Sequence, residues 1–329
     1  MQRLAHDQHR DQPQTAQARP KVSACLLTYN HRHLIESTIQ SVLEQTYPDF
    51  ELIVSDDRST DGTFEALQAL AKNNPKLRII QPPKNLGMAA NANFAVSHAR
   101  GEYIALLHHD DIYSPRLIEA WATVLDRNPS AGFASNSYVD FKTGRMFLHP
   151  FAECNQGERI LREAMLPNWG CPVRGTAMVR RSAWDAVGGM REQFGMLADV
   201  DLWMRLAAQY DLGYVREPLI SVRNDRPEYY PDAYWRWSWP RYKLTYILYG
   251  ANHESFYGRS TLKGRAHLAV YRARVNVDIV RWLGYGIVKR RGDILASSDQ
   301  VGNMYEYLPV VALRKLLKQL SGVFPEKRA

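Results

Sequence analysis

The chain has 329 residues and a formal net charge of +8, a length that suits one large domain or a domain with an appendage. Its hydrophobic content of 45% and its charged content of 23% are those of an ordinary globular protein. Three cysteines without a CxxC pair exclude a disulfide framework and a zinc knuckle.

Residues 1–20 form the first predicted segment, a polar, Gln-rich and disordered arm. The arm lacks the apolar core of a secretory signal. No apolar run of the chain approaches the roughly 18 to 20 residues that a membrane-spanning helix needs. These features predict a cytoplasmic protein, with peripheral contact at the inner face of the cell membrane left open.

Strands and helices alternate from Lys21 onward. Apolar runs predict strands at residues 22–27, 50–55, 76–80, 103–108, 132–141 and 176–181. Apolar residues at helical spacing predict helices around residues 34–43, 64–70, 88–98, 117–125 and 199–210. In the third helix, Ala90, Phe94 and Val96 are predicted on the inner side. This alternation favours an α/β fold with a mostly parallel twisted sheet and helices on both faces.

Three polar clusters follow predicted strands directly: "TYN" at 28–30, "DDRS" at 56–59 and "HHDD" at 108–111. In parallel sheets, ligands bind at the carboxyl ends of the strands. The three clusters are therefore predicted to converge on one site.

Motif searches narrow the chemistry of this site. The chain has no GxxxxGK[ST] loop, no GxGxxG after the first strand, no GxSxG and no HExxH. What remains is a sheet edge with carboxylates, which suits Mg²⁺ or Mn²⁺ when phosphates complete the shell. A zinc site of all four "HHDD" residues is disfavoured because neighbours on an extended segment point to opposite sides. A helix cap would explain only one of the two aspartates.

Taken together, three segments strongly resemble the family 2 glycosyltransferases, which have the GT-A fold. They are "VSACLLTYNHRHLIESTIQSVLEQTYPDFELIVSDDRSTDGTFEAL", "NLGMAANANFAVSHARGEYIALLHHDDIYSPRLIEA" and "GGMREQFGMLADVDLWMRLA". The resemblance covers residues 21–225. It implies a nucleotide-binding half at 21–112 and an acceptor half at 113–225.

The resemblance assigns the first two loops to the nucleotide. Thr28, Tyr29 and Asn30 form the turn that meets the base, with Tyr29 stacking on it. Asp57 accepts the N3–H of uracil or thymine, and Asp56 supports the loop. From local sequence alone, Tyr29 could be an exposed turn residue and Asp57 the N-cap of the next helix.

The third nucleotide segment is "NLGMAANAN". Asn85, Gly87 and Asn93 match family positions there. Many members carry an arginine just before the last of these, and this chain has Ala92 instead. Arg58 could neutralise a diphosphate or be a solvated loop residue.

"HHDD" departs from the common D-x-D-D form of the family. By the resemblance, Asp110 faces the ribose and Asp111 binds Mg²⁺ or Mn²⁺ between the two phosphates. His108 stands where relatives often have an aspartate. His108 and His109 have no role assigned by the sequence.

The resemblance places the catalytic base on the later helix, at Asp199. Many members have a glutamate just before it, where this chain has Ala198. A helix N-cap is the alternative for Asp199. Trp169, Arg174 and Trp203 are candidate acceptor contacts, although a core position is the simpler reading of Trp203.

The region at 226–329 is predicted to be a helical appendage that is both basic and aromatic. Residues 230–329 hold 17 Lys and Arg against 7 Asp and Glu. An anionic membrane surface is therefore a candidate partner. Stacking on sugar rings, or packing onto the catalytic domain, explains the aromatic residues equally well. No nucleic acid is expected, because no recognition motif supports one.

The resemblance implies an inverting transferase that uses a UDP- or dTDP-type nucleotide-sugar donor. Its expected acceptor is a hydroxyl of a glycan or lipid-linked glycan, in cell-surface glycan biosynthesis. Two alternatives are left open: a catalytically silent glycan-binding or scaffold protein, and a sugar nucleotidyltransferase.

Overall fold

The computed structural model describes residues 19–168, 171–223, 239–258 and 261–288. Its strands are β1 (Val22–Thr28), β2 (Phe50–Asp56), β3 (Leu77–Ile80), β4 (Tyr103–His108), β5 (Ile112–Tyr113), β6 (Ala131–Asp140), β7 (Met146–Phe147), β8 (Cys154–Asn155), β9 (Ala177–Arg180) and β10 (Asp211–Val222).

The α-helices are α1 (Ile35–Leu43), α2 (Thr63–Ala71), α3 (Met88–Ser97), α4 (Leu117–Arg127), α5 (Gly157–Ile160), α6 (Leu166–Asn168), α7 (Arg181–Val187), α8 (Ala198–Ala207), α9 (Trp239–Tyr257) and α10 (Leu262–Val288). A π-helical turn, Leu161–Met165, joins α5 to α6, and a 3₁₀ segment, Glu192–Leu197, precedes α8.

One sheet organises the described residues, in the order β3-β2-β1-β4-β9-β6-β10-β5. Strands β3, β2, β1 and β4 are mutually parallel, β9 is antiparallel to both of its neighbours, and β10 is parallel to β6. From β1 the chain builds outward to β2 and β3, then returns to place β4 on the other side of β1. This switch point opens a crevice at the carboxyl ends of β1 and β4, where α/β sheets bind ligands.

Two hydrophobic clusters cover the two faces of the sheet. One joins α1 and α4 to the strands through Ile35, Ile39 and Trp121, all fully buried. The other includes residues of α3 and α8. The α/β prediction with helices on both faces is therefore confirmed.

Helix α3 buries a different face from the predicted one. Ala89, Ala92 and Val96 are buried against the sheet, whereas Ala90 and Phe94 are only half-buried. Positions i, i+3 and i+7 share one face of a helix, so the small alanines allow α3 to lie close to the strands. The prediction that Ala90 and Phe94 lie on the inner side was wrong.

The described part of the C-terminal region packs onto the catalytic core. Leu248 and Tyr249 of α9 and Tyr271 of α10 join the same hydrophobic cluster as α3 and α8. Residues 226–238, 259–260 and 289–329 of the predicted appendage lie outside the described residues. Among the helices that the structure describes, none has the length and apolar character to cross a membrane.

Candidate active site

The first two polar loops are bonded to each other. The Oδ1 of Asn30 accepts a hydrogen bond from the backbone N–H of Thr60 at 2.8 Å. The backbone N–H of Asn30 donates to Ser59 Oγ, also at 2.8 Å. The N–H of Asp57 reaches the carbonyl of Thr28 at 2.9 Å. Asn30 adopts a φ of 57°, which asparagine tolerates better than most residues. The clusters predicted to converge at the carboxyl edge therefore lie side by side.

Asp57 fixes the loop before α3. Its two carboxylate oxygens accept the N–H groups of Leu86 and Gly87, each at 2.7 Å, and Asn85 Nδ2 donates to its carbonyl at 2.8 Å. Burial raises the pKa of Asp57, and these two amides oppose the rise. The alternative of a helix N-cap is wrong, because Asp61 makes the turn contacts to Thr63 instead. The contact to a pyrimidine stays a prediction.

Asp56 supports the loop from within, as the sequence predicts. It is fully buried and accepts hydrogen bonds from the backbone and hydroxyl of Ser59 and, at 2.8 Å, from Gln81 Nε2. Arg58 donates to the carbonyls of Pro82 and Pro83 and to Gln81 Oε1. Arg58 is exposed, and its guanidinium links this loop to the segment at 81–83. A contact of Arg58 to a diphosphate stays a prediction.

Asn93 ties α3 to the loop before the 3₁₀ segment, and its contact to the nucleotide stays a prediction. Its Nδ2 donates to the carbonyl of Met190 at 2.9 Å, and its Oδ1 accepts the N–H of the same residue at 2.9 Å. One turn earlier, the Asn91 amide bonds with the hydroxyl and carbonyl of Ser55 in β2. Both asparagines therefore position the helix.

The end of β1 presents two different side chains to the crevice. Tyr29 is 44% exposed, which leaves its ring free to cover a planar ligand. Thr28 is buried, and its hydroxyl has no hydrogen-bond partner in the structure. A hydroxyl in that state is open to a ligand or an ordered water.

The "HHDD" segment separates its two histidines. Ligand atoms of His108, Asp110 and Asp111 all lie within 4.8 Å of one another. His109 turns away: its Nδ1 lies 3.1 Å from the carbonyl oxygen of Leu27, and its ring packs against that of His31 with 3.4 Å between centroids and a tilt of 35°. One imidazole and two carboxylates fit the needs of a single divalent cation. Three of the four side chains converge, so a four-residue site is excluded as predicted.

The pKa values of the two carboxyl groups in this cluster shift in opposite directions. Burial raises the pKa of Asp111 to about 6, and the charge of Asp110 adds to the rise. Burial also acts to raise the pKa of Asp110, but the neighbouring histidines outweigh it and lower the pKa. Asp111 accepts the backbone N–H of Arg223 at 3.2 Å. Their division between ribose and metal stays a prediction.

Asp199 lies beside this cluster, across Gly175. A Cβ atom added to Gly175 would stand 2.7 Å from His108 Nε2 and 3.3 Å from Asp199 Oδ2. Asp199 is in the first turn of α8. Burial raises the pKa of Asp199, and the charge of His108 opposes the rise. A carboxylate with a raised pKa next to a cation-binding group can act as a proton acceptor.

Asp201 holds the same helix in place. Its buried carboxylate accepts hydrogen bonds from Arg191, from Arg205 Nε at 2.8 Å and from Asn252 of α9 at 2.9 Å. Arg205 also donates to the carbonyls of Val187 and Gly189. Two members of this network are near Asp201 in the chain, but Asn252 comes from α9, and the whole network was not predicted.

The predicted acceptor contacts have three outcomes. Trp169 lies outside the described residues. Trp203 is wholly buried and its ring stacks on Phe133, with 6.0 Å between centroids, so it is corrected from an acceptor contact to a core residue. Arg174 is exposed and lines a small open cleft together with Asp111 and Tyr138.

Two further residues of the site carry little sequence signal. Tyr113 is buried, and its hydroxyl bonds to both the N–H and the carbonyl of His108 at 2.8 Å each. Gly175 leaves the space that the ring of His108 occupies. A tyrosine in a two-residue strand and a lone glycine look ordinary until the fold brings them to His108.

The comparisons with known proteins agree with this geometry. The model of glycosyl transferase family 2 matches residues 23–188. The putative glycosyltransferase EpsE of Bacillus subtilis is 35% identical over 214 residues, which cover 63% of this chain and 74% of that protein. The chain spans only 19% of the length of two further curated relatives.

Two solved structures share the fold. TarS 1–349 of S. aureus in complex with UDP-GlcNAc has a TM-score of 0.63 at 18% identity, covering 91% of this chain and 86% of that one. Mannosyltransferase PcManGT of Pyrobaculum calidifontis in complex with GDP-Man and Mn²⁺ has a TM-score of 0.51 at 20% identity, covering 93% and 87%. The two neighbours bind different nucleotides, so the fold alone does not select the base.

Proposed function

The chain belongs to glycosyl transferase family 2 and is a glycosyltransferase, and from this premise we propose an inverting transfer from a UDP- or dTDP-sugar to an acceptor hydroxyl. One observation carries the proposal. The cluster of His108, Asp110 and Asp111 adjoins Asp199 across Gly175. A group that can hold a diphosphate through a cation thus lies next to a carboxylate that can take a proton.

The proposed donor site is the crevice between β1 and β4. The exposed ring of Tyr29 would cover the base, and the Asp57 carboxylate would accept its N3–H. Asp110 would meet the ribose, and Asp111 would hold Mg²⁺ or Mn²⁺. When bound, the cation neutralises the charge of the leaving diphosphate. The Mn²⁺ in the mannosyltransferase neighbour and the imidazole–carboxylate cluster of this chain support this assignment.

The proposed chemistry is a single displacement. The acceptor oxygen forms its bond to the anomeric carbon while the bond from that carbon to the diphosphate oxygen breaks, and the bonding electrons leave with the diphosphate. Asp199 takes the proton of the acceptor hydroxyl. Attack on the face opposite the leaving group inverts the anomeric centre. The open cleft with Arg174 is the proposed approach of a glycan or lipid-linked glycan acceptor.

The donor site is tested with a set of nucleotide sugars that includes UDP and dTDP donors, and GDP-mannose serves as the control with a different base. Each is measured by thermal stabilisation of the full chain with and without Mn²⁺. We expect stabilisation by a UDP or dTDP donor that depends on Mn²⁺. A protein stabilised by none of them, but stabilised by a glycan alone, would be the silent binding protein.

Asp111→Ala should remove the metal dependence of donor binding. Loss of a ligand side chain should exceed the 10- to 100-fold cost that is typical of losing an outer-shell partner, so we expect Mn²⁺-dependent UDP affinity to fall by at least about 100-fold. Isothermal titration with UDP, with and without Mn²⁺, measures it. Asp49→Asn, at the opposite edge of the sheet, is the matched control. Unchanged UDP affinity in Mn²⁺ would refute the role of Asp111.

Tyr29→Ala should weaken nucleotide binding through loss of stacking. The stacking of a base on an aromatic ring contributes about 1–3 kcal/mol, so UDP affinity should fall by about 5- to 150-fold. Tyr29→Phe keeps the ring and should bind as the wild type does. If the alanine variant binds UDP equally well, Tyr29 is only an exposed turn residue.

A further inference from the structure

We propose that His108 is itself a ligand of the bound cation, and that its ring nitrogen makes the site discriminate against Mg²⁺ in favour of Mn²⁺ and later transition-metal ions. The inference rests on the proposed donor site and names the residue that sets its metal preference. In the described residues, His108 offers a nitrogen in a cluster whose other members, Asp110 and Asp111, offer oxygen.

The spacing of the cluster suits direct coordination. Ligand atoms of the three side chains lie within 4.8 Å of one another. Two atoms bound at about 2.1 Å to one cation are separated by about 3 to 4 Å, so only small side-chain rotations are needed. Because Asp111 is buried, a cation beside it would also compensate its charge.

The backbone of His108 is anchored by Tyr113, and its ring has room beside Gly175. The buried hydroxyl of Tyr113 accepts the N–H of His108 and donates to its carbonyl, both at 2.8 Å. Gly175 leaves the room for the imidazole: an added Cβ would lie 2.7 Å from Nε2 and closer still to Cε1. Any larger residue at 175 would push the ring away. Tyr113 therefore fixes the backbone of His108, and Gly175 leaves space for its ring.

His109 provides the internal contrast. It follows His108 directly in the chain, yet its Nδ1 lies 3.1 Å from the Leu27 carbonyl oxygen and its ring packs at a tilt against the ring of His31. Strand β4 ends at His108 and the chain then bends at His109 and Asp110, so only the first of the two imidazoles joins the carboxylates.

The donor set determines the preference. Mg²⁺ strongly prefers an all-oxygen shell, whereas imidazole nitrogen favours transition-metal ions, with affinity rising from Mn²⁺ toward Co²⁺. An aspartate at position 108 would restore an all-oxygen cluster. His108→Asp should therefore lower the ratio of the Mg²⁺ to the Mn²⁺ dissociation constant by at least about tenfold.

The test uses pulsed electron paramagnetic resonance of Mn²⁺ bound to the full chain, alone and with UDP. Two wild-type samples are compared, one unlabelled and one with ¹⁵N-histidine. We expect nitrogen modulation on Mn²⁺ that changes from the ¹⁴N to the ¹⁵N pattern. It should vanish in His108→Asp and His108→Asn and persist in the matched control His109→Gln. Titration calorimetry then gives the Mg²⁺ and Mn²⁺ constants of each variant that retains its thermal midpoint.

The outcomes separate the two proposals. Mn²⁺ that binds together with UDP but shows no histidine nitrogen overturns the role of His108 and leaves the proposed donor site standing. Modulation that survives in His108→Asp also overturns it, because another histidine is then the ligand. Failure of Mn²⁺ to bind, with or without UDP, refutes both. The labelled wild type decides the question even if a variant fails to fold.

Discussion

Replacing Asp199 by asparagine should lower the rate of sugar transfer by about 10²- to 10⁴-fold, the usual contribution of a general base. An amide of the same shape cannot take the proton of the acceptor hydroxyl. Donor affinity should be unchanged, because Asp199 lies across Gly175 from the cluster proposed to hold the diphosphate. Transfer to an acceptor, measured at saturating donor, and titration calorimetry with UDP and Mn²⁺ give the two quantities.

The control for this variant is a neighbouring carboxylate with no contact to the cluster. Asp185 is exposed on α7, and Asp185→Asn should transfer at the wild-type rate. Near-normal turnover of Asp199→Asn would refute the base role. An equal loss of donor affinity and turnover would instead make Asp199 part of the donor site.

Replacing Asp201 by asparagine should lower the free energy of unfolding by about 3–5 kcal/mol, as expected when one partner of a buried ion pair is removed. The carboxylate is fully buried between Arg191 and Arg205, which would be left facing each other without a counter-charge. Asn252 would also lose its contact from α9, so α9 would hold α8 less firmly. Urea unfolding of the full chain measures the change.

The difference in unfolding free energy between the wild type and Asp201→Asn should depend on pH, because the pKa of Asp201 is lowered. Burial acts to raise this pKa, but Arg191, Arg205 and Asn252 together outweigh it. The contribution is therefore complete at neutral pH and is lost as the pH falls through the lowered pKa, below the usual value of 3.8 for aspartate. The wild type and the variant should converge in acid.

An exposed ion pair gives the matched control for Asp201. Glu217 lies 3.2 Å from Arg116, and both side chains are largely solvated. Pairs of this kind contribute little because water and salt screen them. Glu217→Gln should leave the urea midpoint unchanged. An Asp201 variant as stable as this control would show that the buried network is not needed for folding.

Local patterns predicted some residues well and others wrongly, for a consistent reason. The buried strands β1, β2 and β4 were predicted because an unbroken apolar run is a local property. The bonds of Asn93 to Met190 were not predicted, because Met190 lies in a distant loop that no local pattern reveals. Trp203 follows the same logic, since its stacking on Phe133 depends on how α8 lies on the sheet. Strand β10 was missed because its run "DLGYVREPLISV" interrupts the apolar pattern with charges and a proline.

By itself the sequence determined the family, the α/β alternation and the set of polar loops that meet at one edge of the sheet. These depend on residue spacing and on motifs read along the chain, and the carboxyl ends of parallel strands meet at one edge in any such fold. Only the tertiary structure decided what surrounds each side chain at that edge. It turned His108 toward the carboxylates and His109 away, and it brought Gly175 and Asp199 against the same imidazole. The reason is physical: the bend after β4 and the close packing between distant segments select which side chains enter the site.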